Sequence, residues 1–206
     1  MDPQSESCDE KTGGKRGQII DAAVAEFREK GFAGASMDRV SARANVSKRT
    51  VYNHFDSKEA LFRAILEIMG ARANRAFDIA YQQGAPIRPQ LIALGWAEGQ
   101  LLTDADFMKL ARMVVGETMR DPALAAEMNE KMARVAVFRE FIGDAERAGT
   151  LLVPDIDRAT DQFLGLIKAQ AFWPVVFSGE VVSAEEMGRI IETTVDMFLL
   201  RYAPPA

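Results

Sequence analysis

The chain has 206 residues, enough for one or two domains with a real hydrophobic core, and at 48% hydrophobic and 27% charged it reads as an ordinary water-soluble globular protein. No apolar run approaches the ~20 residues of a membrane span, and the polar, acidic start has neither the charged nor the apolar region of a signal peptide, so a cytoplasmic location is expected. A lone cysteine, Cys8, excludes a disulfide or a cysteine metal cluster within one chain, and a net charge of −5 is at first sight wrong for a nucleic-acid binder.

Residues 1–13 are polar and aperiodic and are expected to form a disordered tail. Lys11, Lys15 and Arg16 close it, either as a basic arm for a nucleic-acid backbone or as a solvated charge cluster. A first helix follows from about Lys15 to Lys30, with Ile20, Val24 and Phe27 on one face and Gly31 as its stop; Phe32 folds back into a small core. Ser36 is a good N-cap for a second helix, whose apolar Met37, Val40 and Ala44 share one face. Asn45 tolerates the left-handed turn that ends it. Val46 plugs the corner, Ser47 caps a third helix, and Val51 and Phe55 give that helix a buried edge. At about 100° per residue this places Arg49 and Asn53 opposite the buried edge, with Thr50 and Tyr52 beside them. Arg, Asn and Thr are the side chains that read base edges in a major groove. Two ordinary helices with a solvated face would show the same spacing.

The flanking motifs separate these readings. From Arg16 to Glu67 the chain resembles the DNA-binding domain of the TetR family of one-component repressors, carrying in order Ala22-Ala23 to Gly31-Phe32, Ser36, Val46-Ser47, Thr50 to Phe55, and Ser57 to Leu61. Asn45 replaces the usual Gly of the turn, and Arg49 stands where Gly is frequent. The resemblance implies DNA contacts from Ser36, Lys48, Arg49, Thr50, Tyr52, Asn53, His54 and Lys58, the last on the phosphate backbone. Charge is divided accordingly. Residues 11–63 hold eleven Lys or Arg against six Asp or Glu, and residues 64–206 hold fourteen against twenty. One end of the chain is built to face phosphates.

Asp56 or Ser57 caps a fourth helix expected to run to about Ala80 along Leu61, Ile65, Ile68 and Met69. Lys58 in its first turn opposes the helix dipole unless it shares a phosphate there. Turn signals then separate helices at about Pro89 to Leu102, Ala105 to Met119, Pro122 to Ala148, Asp155 to Phe177 and Ala184 to Tyr202. Pro122 suits a first helical position, and Pro174 is expected to kink or end its helix. The expected fold is all-α: an N-terminal three-helix domain with a helix-turn-helix, residues 14–60, and a C-terminal helical bundle for ligand binding and dimerisation, residues 61–206.

Two broad apolar stripes mark the last long helices. Phe163, Ile167, Ile191, Val195, Phe198 and Tyr202 read as a dimer interface, as in TetR-like proteins, or as core within one chain. The middle helices are rich in Met and aromatic residues, including Met128 and Met132. Trp96, Phe107, Arg112, Met113, Glu117, Phe138 and Gln170 are the candidate lining for a small apolar effector. From Phe107 to Phe177 the chain also resembles the C-terminal domain of AefR-type members. An enzyme is not expected, because the single imidazole, His54, lies in the third helix and nothing pairs the lone carboxylates. No metal or cofactor is called for. The reading is a homodimeric, ligand-responsive transcriptional regulator, a repressor released from operator DNA by its effector. Its alternative is a helical protein–protein interaction module with a purely structural helix-turn-helix.

Overall fold

The computed structural model describes residues 14–76, 79–120, 126 and 135–205. The tail of residues 1–13 with Lys11 and Cys8, Pro122 at a helix start, and Met128 and Met132 lie outside the described residues. Among those described, the regular elements are helices: α1 (Lys15–Gly34), α2 (Met37–Arg43), α3 (Lys48–His54), α4 (Lys58–Ala76), α5 (Ile87–Thr103), α6 (Ala105–Thr118), α7 (Val135–Arg147), α8 (Ile156–Ala171), α9 (Trp173–Ser178) and α10 (Ala184–Tyr202). They belong to two compact units. One comprises Met1–Ile68 with Met113–Asp121, the other Met69–Arg112 with Pro122–Ala206.

In the first unit the chain breaks helical geometry at Gly31, with φ 69° and ψ 164°, a conformation that favours a residue without Cβ. The following turn returns Phe32 to the core, where its ring meets those of Phe27 and Phe62 at centroid distances of 5.4 Å each. Glu26, on the same helix, is fully buried and receives Arg39 Nε at 2.5 Å and Arg43 Nη2 at 3.4 Å from α2. This ion cluster, extended by Arg43 to Glu29 at 2.6 Å, runs between α1 and α2.

In the second unit α10 packs against α5 and α8, and α7 and α9 lie against α8. Gly95 and Gly99, one turn apart on α5, let α10 approach closely. A Cβ at Gly95 would stand 2.7 Å from Ile191 Cγ2, and one at Gly99 2.9 Å from Met187 Cγ. Phe138, Phe163, Phe198 and Tyr202 form a chain of ring contacts through this core. On α5 the carboxylate of Glu98 is buried, with Lys168 Nζ of α8 3.6 Å away.

Two helix expectations change. The fourth helix does not reach Ala80, because Ile79 and Ala80 are non-helical. That stretch is held by tertiary contacts instead: the Tyr81 hydroxyl meets Thr150 Oγ1 at 2.6 Å, its ring stands edge-on to Phe141, and the Gln90 amide clamps the backbone of Gln82 and Ala85. The helix expected from Asp155 to Phe177 is two. Asp155 caps α8 by accepting from Arg158 N at 3.0 Å, and a new helix, α9, starts after Phe172 with Pro174 in its first turn. A proline there lacks only an N–H that no intrahelical acceptor would have met.

Candidate nucleic-acid interface

Side-chain caps set both helices of the motif. Ser36 Oγ accepts from Arg39 N at 3.3 Å and Ser47 Oγ from Thr50 N at 3.1 Å, each meeting an amide that the first turn leaves open. Between them Asn45 takes φ 53°, the left-handed conformation expected of it, and Val46 N bonds back to Ser41 O at 3.1 Å. The corner fixes the exit of α3. Val51 and Phe55 are buried, so the opposite side of α3 carries Lys48, Arg49, Tyr52, Asn53 and His54 into solvent, with Tyr52 49% exposed. Thr50 is half-buried, and its hydroxyl lies 2.8 Å from Ser47 Oγ. It therefore serves the cap as well as the flank.

The cations of this unit are mostly engaged. Arg39 bonds Glu26 and the Gly34 carbonyl; Arg43 bonds Glu26 and Glu29. Hydrogen bonds from Lys30 first and Arg43 second hold the Glu29 carboxyl well below its usual range, at about 2. Lys48 Nζ sits 2.6 Å from Asp38 Oδ2. Arg49 is exposed and makes no ion pair with the described residues. Lys15 and Arg16 begin α1 rather than trail from a tail, and the Arg16 guanidinium lies 5.1 Å from the Phe55 ring centroid. Lys58 has partners within the chain. Its misfit at the start of α4 is relieved inside the chain, because Nζ donates to the carbonyls of Phe32 at 2.9 Å and Ala33 at 3.2 Å and rests 4.7 Å from the Phe32 ring centroid. A phosphate is not required to explain it.

Sequence reasoning missed Glu26 and Asp38. A glutamate on the apolar face of α1 and an aspartate ten residues before Lys48 were the available signals, but neither spacing reveals its partner.

The stripes, read as a dimer interface or as core within one chain, lie largely inside the single chain. Phe163, Ile167, Ile191, Val195, Phe198 and Tyr202 are all buried within the single chain, where α10 packs on α5 and α8, so they form its core. Other apolar side chains on these helices remain outside: Met197 is 50% and Leu200 88% exposed. Met197, with Phe198 and Tyr202, borders a groove of about 460 Å³ between α8 and α10, with Gly165, Leu166 and Ala169 along its α8 side. The effector candidates are scattered. Phe107 and Phe138 are buried, Trp96 is half-buried, and Arg112 and Gln170 are exposed, all in the second unit; Met113 and Glu117 are buried in the first. Arg112 lies against the backbone of Gly179, the Gln170 amide bonds the Leu166 carbonyl at 3.1 Å, and Glu117 pairs with Arg120 at 3.1 Å.

Comparison with known proteins follows the same division. Residues 19–65 match the family model of bacterial regulatory proteins of the tetR family, and residues 89–204 that of the AefR-like transcriptional repressor C-terminal domain. The crystal structure of a TetR family transcriptional regulator from Pseudomonas syringae pv. tomato str. DC3000 is 39% identical, with a TM-score of 0.81 over 95% of this chain and 100% of its own. The HTH-type transcriptional repressor SCO4008 of Streptomyces coelicolor is 33% identical over 166 residues, 78% of each chain. The structure of the flavonoid-responsive regulator FrrA is 27% identical, with a TM-score of 0.73 over 94% of this chain and 100% of that one.

Proposed function

The chain belongs to the TetR family of bacterial transcriptional regulators, DNA-binding proteins rather than enzymes, and from that premise we propose that it is a homodimeric repressor released from its operator by a small apolar molecule. The observation that carries the DNA-binding part is α3. A capped seven-residue helix with Val51 and Phe55 buried offers Arg49, Tyr52, Asn53 and His54 together on its open side. Arg49 and Asn53 are the base-reading pair, and Tyr52 serves a phosphate. Residues 14–60 form the reading head, and the chain beyond it the regulatory and dimerising part.

The groove between α8 and α10 and the exposed Met197 and Leu200 support a second copy as the partner, since two paired recognition helices must address successive major grooves about 34 Å apart. A repressor role rests on the relative named as one, and an apolar, aromatic effector on the relative named flavonoid-responsive. Phe107, Phe138 and Trp96, all in the second unit, are the aromatic residues assigned to such a molecule. The test is a gel shift against the DNA upstream of the protein's own gene at increasing salt, then a thermal-shift screen of apolar compounds with each hit tested for release. Steep log-linear loss with salt and release by a stabilising compound are expected. A salt-insensitive complex, or hits that never release DNA, would refute the respective half.

A further inference from the structure

The cations of the helix-turn-helix have partners that differ in kind. Arg39 and Arg43 are anchored on a fully buried carboxylate, and Lys58 on two backbone carbonyls. Lys48 is held by an exposed partner. Its side chain is 64% exposed, that of Asp38 is 58% exposed, and their charged atoms are 2.6 Å apart. Lys48 is also the first residue of α3, where the amide dipoles oppose a cation and raise its need for a counter-anion. In the free protein Asp38 meets that need. A DNA phosphate would meet it equally, and one ammonium so placed cannot serve both anions at full strength.

We propose that Asp38 competes with the DNA backbone for Lys48 and so lowers the affinity of the recognition helix for all duplexes alike, a role that rests on the DNA-binding reading. Because both partners are solvated, the pair exchanges readily and sets affinity rather than fold. Asp38 stays off the base edges, so it changes how tightly the protein holds DNA without changing which sequence it prefers.

The experiment uses the full chain and a short mixed-sequence duplex, which isolates phosphate binding from operator reading. Asp38→Asn should bind about fivefold more tightly than wild type at low salt, and its log-log salt slope should steepen by up to about 0.9 as Lys48 releases one more counterion. Asp38→Ser, a second uncharged replacement, should reproduce the gain, and unchanged melting curves establish that both variants fold. In the Lys48→Ala background the gain from Asp38→Asn should fall below about twofold, the residue of simple charge repulsion. A gain of equal size in that background would mean that Asp38 merely repels DNA and would overturn the proposal. Weaker binding by Asp38→Asn would overturn it too, since Asp38 would then be orienting Lys48 for the phosphate. Should wild type fail to bind the duplex at low salt, the regulator reading falls first and takes this inference with it.

Discussion

Glu26 is the position at which substitution most directly probes how α2 is held, and through it the exit of α3. Its carboxylate is fully buried on the face of α1 that also carries Ile19, Ala23 and Phe27, and both its partners come from α2. Breaking a fully buried ion pair by deleting one partner costs about 3–5 kcal/mol. The Arg39 and Arg43 side chains are 49% and 38% exposed, however, so water and salt recover part of that loss. Arg43 also keeps Glu29, and Arg39 keeps the Gly34 carbonyl. The expected cost of Glu26→Ala is therefore about 1–3 kcal/mol, a fall in melting temperature of about 2–4 °C per kcal/mol for a chain of this size. Glu26→Leu fills the same space, removes the cost of desolvating a carboxylate and leaves both guanidinium groups able to reach water, so it should melt close to wild type. Thermal melts of the two variants at neutral pH decide the matter. If Glu26→Leu destabilises as much as Glu26→Ala, the ion cluster itself holds α2 in place and the burial argument is refuted.

Other substitutions address the remaining parts of the chain. The lowered Glu29 carboxyl contributes stability that is present above its ordinary value of 4.5 and lost as pH falls toward 2, so wild type and Glu29→Gln should differ most near neutral pH and converge in acid; a gap that persists at pH 2 contradicts the assignment. Gly99→Val puts branched carbon where a single Cβ already meets Met187 at 2.9 Å, and should destabilise by about 1–3 kcal/mol in urea unfolding, an unchanged midpoint counting against a tight α5–α10 seam. Leu200→Asp should yield folded monomers by sedimentation, whereas Phe198→Asp should unfold the chain by burying an unpaired carboxylate; a dimer that survives Leu200→Asp and Met197→Asp would move the interface elsewhere. Arg49→Ala and Asn53→Ala should each cost about 1–3 kcal/mol at particular operator positions, and uniform losses across operator variants would assign them to positioning.

How much was legible beforehand depends on whether the determinant is local. Ser36, Ser47 and Asn45 act within one turn of themselves, so cap and corner could be read from the chain and occur where expected. The exposed side of α3 followed from the spacing of Val51 and Phe55 for the same reason. Lys58 shows where that logic ends. Its local setting, a cation in a first helical turn, called for an anion, but the carbonyls that satisfy it come from residues 32 and 33, which no periodicity connects to it. The stripes on α8 and α10 pose a different problem. Spacing reveals that a face is apolar but not what covers it; the two striped helices cover each other together with α5 and α7, the glycines of α5 admitting α10.

That last point bears on why a second copy matters for function. On the proposed reading, the seven-residue α3 places two base-reading side chains, Arg49 and Asn53, on its open side. At about 1–3 kcal/mol each, two such contacts discriminate against wrong bases by about 2–6 kcal/mol. Specific regulators exceed their non-specific binding by about 4–10 kcal/mol. A single copy therefore falls at or below the lower part of that range, and two copies on a two-fold site reach its middle. The stripe residues pack into the core, and of them Phe198 and Tyr202 also border the groove between α8 and α10. On the proposed dimer, the discrimination that one α3 lacks comes through apolar residues left outside, of which Met197 and Leu200 lie on α10, so the oligomeric state and operator selectivity of Leu200→Asp must fall together.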